Sequence, residues 1–249
     1  MPPTVFIDAT WDGEIVLGNE VIEYLKKKNT RSVALFASVQ FLALDKVIAQ
    51  LKDLGIDVKT TKAKRTHVPI QVLGCDAYED SFESDIIASA DTVLYIGDGM
   101  FHPKALLLSQ VGKKEFKDIV IWDPVAEKMH LIGRETIARQ IQKTVANLKR
   151  YLAADVIGIL VTIKPGQQYF ANALKLKTAL ETQGKRTYIF IEDTINLSSL
   201  ENYPFIQAWV NTACPRIGMD DITTIAKPLI NIRDAYDPVK ALERMEYGK

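Results

Sequence analysis

The stretch RSVALFASVQFLALDKVIAQLKDLGIDVKT (31–60) decides the fold class. Its apolar run Val33–Ala37 shows no alternation, the pattern of a strand buried on both faces of a parallel sheet. Leu44, Val47, Ile48 and Leu51 then recur at helical spacing, Gly55 suits a helix C-terminus, and Ile56–Val58 resumes as strand. The stretch DVIGILVTIKPGQQYFANALKLKTALETQGKRTYIFIED (155–193) repeats this order: strand Val156–Thr162, a polar turn, a helix through Leu174, Leu176 and Leu180, Gly184, and strand Thr187–Glu192. Strand–helix–strand units joined by short turns imply crossovers and a parallel sheet.

Outward from these copies, Val5–Ile7 reads as a short opening strand. Residues 18–29 read as a helix with Val21, Ile22 and Leu25 on one stripe. DTVLYIGDG (91–99), DIVIWDP (118–124) and AWVNTA (208–213) supply further strands, with a short helix after DGMFHP. Ile137, Ile141, Val145, Leu148 and Leu152 mark a long amphipathic helix, read as the bridge between halves. The expected fold is α/β: two similar domains, each a mainly parallel sheet flanked by helices, meeting at a central cleft. The first domain spans 1–145 and the second 146–249.

Composition sets outer bounds. The 249 residues carry 31 Lys plus Arg against 31 Asp plus Glu, so no basic field favours direct nucleic-acid binding. No apolar run is long enough to span a bilayer, and the first residues lack the pattern of a signal peptide. The chain is expected to be cytoplasmic and without a membrane partner. Two distant cysteines are too few for a disulfide scaffold.

Those cysteines lie at comparable points of the two copies, Cys75 in IQVLGCD (70–76) and Cys214 in NTACPRI (211–217). Placed just after strands, where a parallel sheet gathers its ligands, they read as thiolate donors to a soft metal centre. The alternative is a pair of small buried hydrophobes. YIGDGMFHP (95–103) puts Gly97, Asp98 and Gly99 at a strand end before His102 and Pro103, where backbone amides can approach a ligand; a tight strand-to-helix turn is the other reading. KPGQQ (164–168) sets Lys164, Gly166, Gln167 and Gln168 in a second such turn, and Arg216 adds a guanidinium able to clamp a carboxylate. There is no P-loop, GxSxG elbow or HExxH motif.

IQVLGCD, YIGDGMFHP, VTIKPGQ and NTACPRI, in that order, resemble the diphthamide synthase family, the archaeal and eukaryotic 2-(3-amino-3-carboxypropyl)histidine synthases. SVQF (38–41), WDP (122–124) and KPL (227–229) extend the similarity over nearly the whole chain. The resemblance implies an atypical radical S-adenosylmethionine enzyme of diphthamide biosynthesis, with three α/β domains that each give one cysteine to a 4Fe–4S cluster. It implies transfer of the 3-amino-3-carboxypropyl group of S-adenosylmethionine to a histidine of elongation factor 2. By motif, Cys75 matches the second family cysteine and Cys214 the third. Gly97, Asp98, Gly99, His102, Pro103, Lys164, Gly166, Gln167, Gln168 and Arg216 become candidate cofactor contacts. The family's N-terminal domain and first cysteine have no counterpart in this sequence. A homo- or hetero-oligomer with a chain supplying them is therefore expected; the alternative is a non-catalytic or accessory subunit.

Overall fold

The computed structural model describes residues 10–164, 166–223 and 225–247, so the expected strand at Val5–Ile7 lies outside the described residues. The described chain forms two compact units, one running to Val111 and from Glu115 to Ile137, the other comprising Gly112–Lys114 and Ala138 onward. The division falls at Ile137/Ala138 rather than at 145.

In the first unit, α1 (Asn19–Lys27), β1 (Ser32–Ala37), α2 (Asp45–Asp53), β2 (Asp57–Lys59), α3 (Ile86–Ser89), β3 (Thr92–Ile96), α4 (Phe101–Leu108), β4 (Ile119–Asp123) and β5 (Lys128–Ile132) follow in order. Their sheet runs β2-β1-β3-β4-β5, parallel except for the last pair. Residues Val33–Ala37 of β1 and all of β3 are buried, as their unbroken apolar runs require. Val21 and Leu25 of α1 and Val47 and Leu51 of α2 pack with Val33, Leu35, Leu94 and Val120 in one core. Each such side chain contributes about 1.5–3 kcal/mol by leaving water. Gly55, at φ +73°, closes α2 in the left-handed conformation that a β-carbon would strain.

Sequence reading missed β5. Asp123 makes the hairpin: its Oδ1 accepts the Val125 and Ala126 N–H groups at 2.9 and 3.0 Å, turning the chain back on β4.

The second unit contains α5 (Ala138–Ala153), β6 (Val156–Thr162), α6 (Phe170–Thr182), β7 (Arg186–Glu192), β8 (Ala208–Asn211), β9 (Leu229–Asn231), α7 (Ile232–Tyr236) and α8 (Pro238–Glu246). Its all-parallel sheet has the order β7-β6-β8-β9, so both sheets share the 2-1-3-4 arrangement of their first four strands. Gly158 of β6 pairs with Trp209 of β8, and a β-carbon at 158 would lie 2.3 Å from the indole ring. Only glycine leaves room for that ring, which Phe190 and Tyr203 meet edge-on.

Two helix faces differ from expectation by one residue. Tyr151, 1% exposed, takes the core position assigned to Leu152 and donates through its hydroxyl to the Ala235 carbonyl at 3.2 Å. Ala173, not Leu174, is buried in α6. Helix α5 packs on α8 and β9 and so belongs to the second unit; it is not a bridge. No helix among the described residues is long and apolar enough to cross a membrane.

Candidate metal and ligand sites

In the first sheet, β1 leads to β2 on one side and the chain then returns to β3 on the other, so the carboxyl ends of β1 and β3 flank a topological switch point. Cys75, the Gly97–Gly99 loop and the start of α4 gather at this edge. Gln71 pairs in parallel with Ala37, the last residue of β1, opposite the side on which Ile96 pairs. Cys75 therefore follows a single bridge rather than a strand. Asp76, itself buried, accepts the Leu73 N–H at 2.8 Å and ties the turn around Cys75. Burial pushes the Asp76 carboxyl above its usual range, against the opposing pull of the Leu73 amide and Arg65.

Gly74 connects this turn to the second motif. A β-carbon there would fall 1.9 Å from the Phe101 ring, so the ring lies directly on the glycine backbone. Phe101 also stands edge-on to His102, with centroids 5.4 Å apart. Helix α4 starts at Phe101, earlier than the sequence suggests, which puts His102 and Pro103 in its first turn. Pro103 is tolerated there because that turn's N–H groups have no intrahelical partner. Gly97 (φ +152°) and Gly99 (φ +64°) hold backbone conformations natural only to glycine, and Asp98 between them is exposed.

The second sheet repeats the switch point between β6 and β8. After β6, the Lys164 turn is closed by the Gln167 N–H on the Lys164 carbonyl at 3.0 Å, with Gly166 at φ +77°. Lys164, Gly166 and Gln168 are exposed and Gln167 is half-buried. Pro165 lies outside the described residues.

After β8, Cys214 is held by two buried asparagines. Asn211 Nδ2 donates to the Cys214 carbonyl at 2.9 Å and to Asn231 Oδ1 at 2.8 Å, while Asn231 Nδ2 donates to the Pro215 carbonyl at 2.8 Å. Sequence reading missed this clamp; a polar residue at the end of each buried strand was its only trace. Cys214 follows the third strand of its sheet, whereas Cys75 precedes the third strand of its own. The place in the first sheet that corresponds to Cys214 is the Gly97 loop, so the two cysteines do not occupy equivalent points of the repeat.

Arg216 departs from expectation. It is 4% exposed, and its Nε donates to Asp220 Oδ2 at 2.8 Å, with a second contact from Nη2 to the same oxygen. Its guanidinium braces the Cys214 turn from within the chain instead of awaiting a ligand carboxylate. Asp221 nearby has its carboxyl pushed up by burial and by the Asp220 charge, against Arg216.

Cys75 and Cys214 are both half-buried thiols, neither in a disulfide. Among the described residues, no group of three or more His, Cys, Asp or Glu side chains is placed to hold a metal ion. A groove of the first unit lined by Glu14, Glu20, Trp122, Pro124 and Glu127 contains none of the sequence-predicted residues.

Known proteins match this arrangement. A family model described as Putative diphthamide synthesis protein covers residues 3–244. The 2-(3-amino-3-carboxypropyl)histidine synthase of Pyrococcus horikoshii is 27% identical over 249 residues, covering 99% of this chain and 68% of the relative. Subunit 1 of the synthase of Gallus gallus is 24% identical over 220 residues, covering 87% of this chain and 49% of that subunit. The crystal structure of Dph2 from Pyrococcus horikoshii with a 4Fe-4S cluster gives a TM-score of 0.71 at 27% identity, covering 92% of this chain and 62% of that one. The chain thus spans about half to two thirds of the length of these relatives. Since the match runs through both sheets and both cysteine turns, this chain belongs to the family of putative diphthamide synthesis proteins.

Proposed function

We propose that this chain acts in the first step of diphthamide biosynthesis, transferring the 3-amino-3-carboxypropyl group of S-adenosylmethionine to a histidine of elongation factor 2. The observation that carries this reading is the position of the two thiols. Each is half-buried at the carboxyl edge of its own sheet, beside a glycine-containing turn, in a chain that the family model covers almost end to end. The names of the relatives and the 4Fe-4S cluster in a solved one support the same chemistry.

The donor set fits such a cluster in kind. Sulfur ligands on short, braced turns suit iron, and Asp76 and the Asn211–Asn231 pair orient the turns that carry them. These 249 residues carry two cysteines, two of the three thiolates that a cluster with one open iron takes. Cys75 and Cys214 would each serve as a ligand, the third thiolate coming from outside these 249 residues; His102, in the first turn of α4 next to the Gly97 loop, is the internal substitute. When bound, the cluster supplies the electron that splits the sulfonium from its aminocarboxypropyl carbon.

The chain's own residues bind and orient. The Gly97–Asp98–Gly99 backbone and the exposed Asp98 carboxylate suit the amino acid head of S-adenosylmethionine, the carboxylate taking its ammonium. In the second unit, Lys164 and Gln167 give their own turn donors of the same kind. With Arg216 engaged by Asp220, the ligand's carboxylate falls to the backbone amides of the Gly97–Gly99 loop.

The second reading is a non-catalytic or accessory subunit that binds a longer relative. Reductant, S-adenosylmethionine and elongation factor 2 are incubated with this chain, with a longer three-cysteine relative, and with both. Mass spectrometry of the target histidine then separates the readings. Modification that needs this chain supports the enzyme; modification by the relative alone, unchanged on adding this chain, supports the accessory role.

A further inference from the structure

Beneath the Gly97 loop lie two hydroxyls that the fold does not use. Ser38 is 1% exposed and Tyr95 0%, and among the described residues neither Ser38 Oγ nor Tyr95 OH has a hydrogen-bond partner. Both point at the same glycine: a β-carbon on Gly97 would sit 2.6 Å from Tyr95 OH and 2.9 Å from Ser38 Oγ. They lie close to each other, and the Ser38 hydroxyl eases the burial that raises the Tyr95 phenol, yet they do not meet in hydrogen-bond geometry.

A buried hydroxyl without a partner carries the full cost of leaving water and returns nothing to stability. Phe and Ala would fill these positions without that cost. Their location, at the ends of β1 and β3 where the sheet's switch point lies, associates them with the loop rather than the core. The Gly97 N–H is tied to the Trp122 carbonyl at 3.0 Å, and beyond it Gly99, with no atom within 4 Å of a β-carbon position, leaves the peptides around Asp98 sterically open to meet the hydroxyls.

We propose that Ser38 and Tyr95 are positioning residues for the Gly97–Asp98–Gly99 loop, their hydroxyls bonding the loop backbone when it closes on its ligand. This rests on the reading of that loop as an S-adenosylmethionine contact. In the ligand-bound state the loop carbonyls accept from the two hydroxyls. The energy released then offsets part of the cost of ordering the loop and appears as affinity.

The test sets stability against binding. Tyr95→Phe, Ser38→Ala and wild type are melted without ligand and titrated calorimetrically with S-adenosylmethionine, in the presence of the partner chain. Melting temperatures equal to or above wild type are expected, with binding about tenfold weaker for each variant, the size of one net hydrogen bond. Variants that melt lower would show that the hydroxyls serve the fold, through a buried water or otherwise, and overturn the proposal. Variants that bind as wild type does would overturn it as well. Wild type that binds no S-adenosylmethionine would instead fail the functional reading on which the proposal stands.

Discussion

Replacing Asn231 with alanine tests whether the Cys214 turn is held as described. Asn231 Oδ1 accepts from Asn211 Nδ2 and its own Nδ2 donates to the Pro215 carbonyl, both at 2.8 Å. Each neutral bond is worth about 1 kcal/mol net, giving about 2 kcal/mol for the pair. Little is added for stranded partners: Asn211 Nδ2 keeps the Cys214 carbonyl, and the Pro215 carbonyl keeps the Gly218 N–H at 3.1 Å. A loss of about 2 kcal/mol is roughly thirtyfold in the local opening equilibrium. Hydrogen exchange followed by mass spectrometry should therefore show protection of segment 208–220 falling by roughly that factor. Alkylation of Cys214 should accelerate while that of Cys75, in the other unit, does not change. Unchanged protection together with unchanged Cys214 labelling would refute the clamp.

Further outcomes follow from individual contacts. Gly158→Ala forces a β-carbon within 2.3 Å of the Trp209 ring and should destabilise the second unit by about 1–3 kcal/mol, read by urea denaturation. Arg216→Ala removes the partner of Asp220 and should lower the thermal midpoint, with S-adenosylmethionine affinity no more affected than the folded fraction; selective loss of affinity would restore Arg216 as a ligand contact. Asp91 accepts the Arg31 and Ser32 N–H groups, both at 2.9 Å, and these bonds, Arg31 first, hold its carboxyl below the usual value of 3.8. A depressed carboxyl stabilises the fold above its unfolded pKa and loses that contribution as pH falls through the folded one. The stability difference between wild type and Asp91→Asn should accordingly be largest above pH 3.8 and shrink below it in acid denaturation series.

The parallel strands were legible because burial on both faces demands unbroken apolar runs, and Val33–Ala37 and Val156–Thr162 show them plainly. The glycines closing α2 and α6 were legible for an equally local reason, their left-handed φ. Helix faces slipped where the buried residue was not a large aliphatic one: Tyr151 and Ala173 hold core positions while Leu152 and Leu174 face outward. β5 is short and mostly exposed, so it lacks the apolar signature, and only the Asp123-Pro124 pair hinted at its turn. Helix α8 had its signals, Asp237 as cap and Pro238 in first position, and the reading passed over them.

At the site, the residue types were legible and their partnerships were not. Glycines at strand ends advertise the Gly97 and Gly166 turns because the requirement is local. The pairings of Asn211 with Asn231 and of Gly74 with Phe101 arise only when distant segments meet at a sheet edge. Arg216 illustrates the converse: beside a cysteine it looks available, and folding gives it a carboxylate four residues on.

The central claim is that Cys75 and Cys214 are cluster ligands, with the third thiolate supplied from outside these 249 residues. Iron and sulfide are measured after anaerobic reconstitution of wild type, Cys75→Ser and Cys214→Ser, each alone and with a three-cysteine relative whose own cluster cysteines are replaced except the first. The account predicts full loading only for wild type with that partner, and loss of iron on changing either cysteine. Full loading of the lone chain that survives both substitutions, or no iron in any combination, would contradict it.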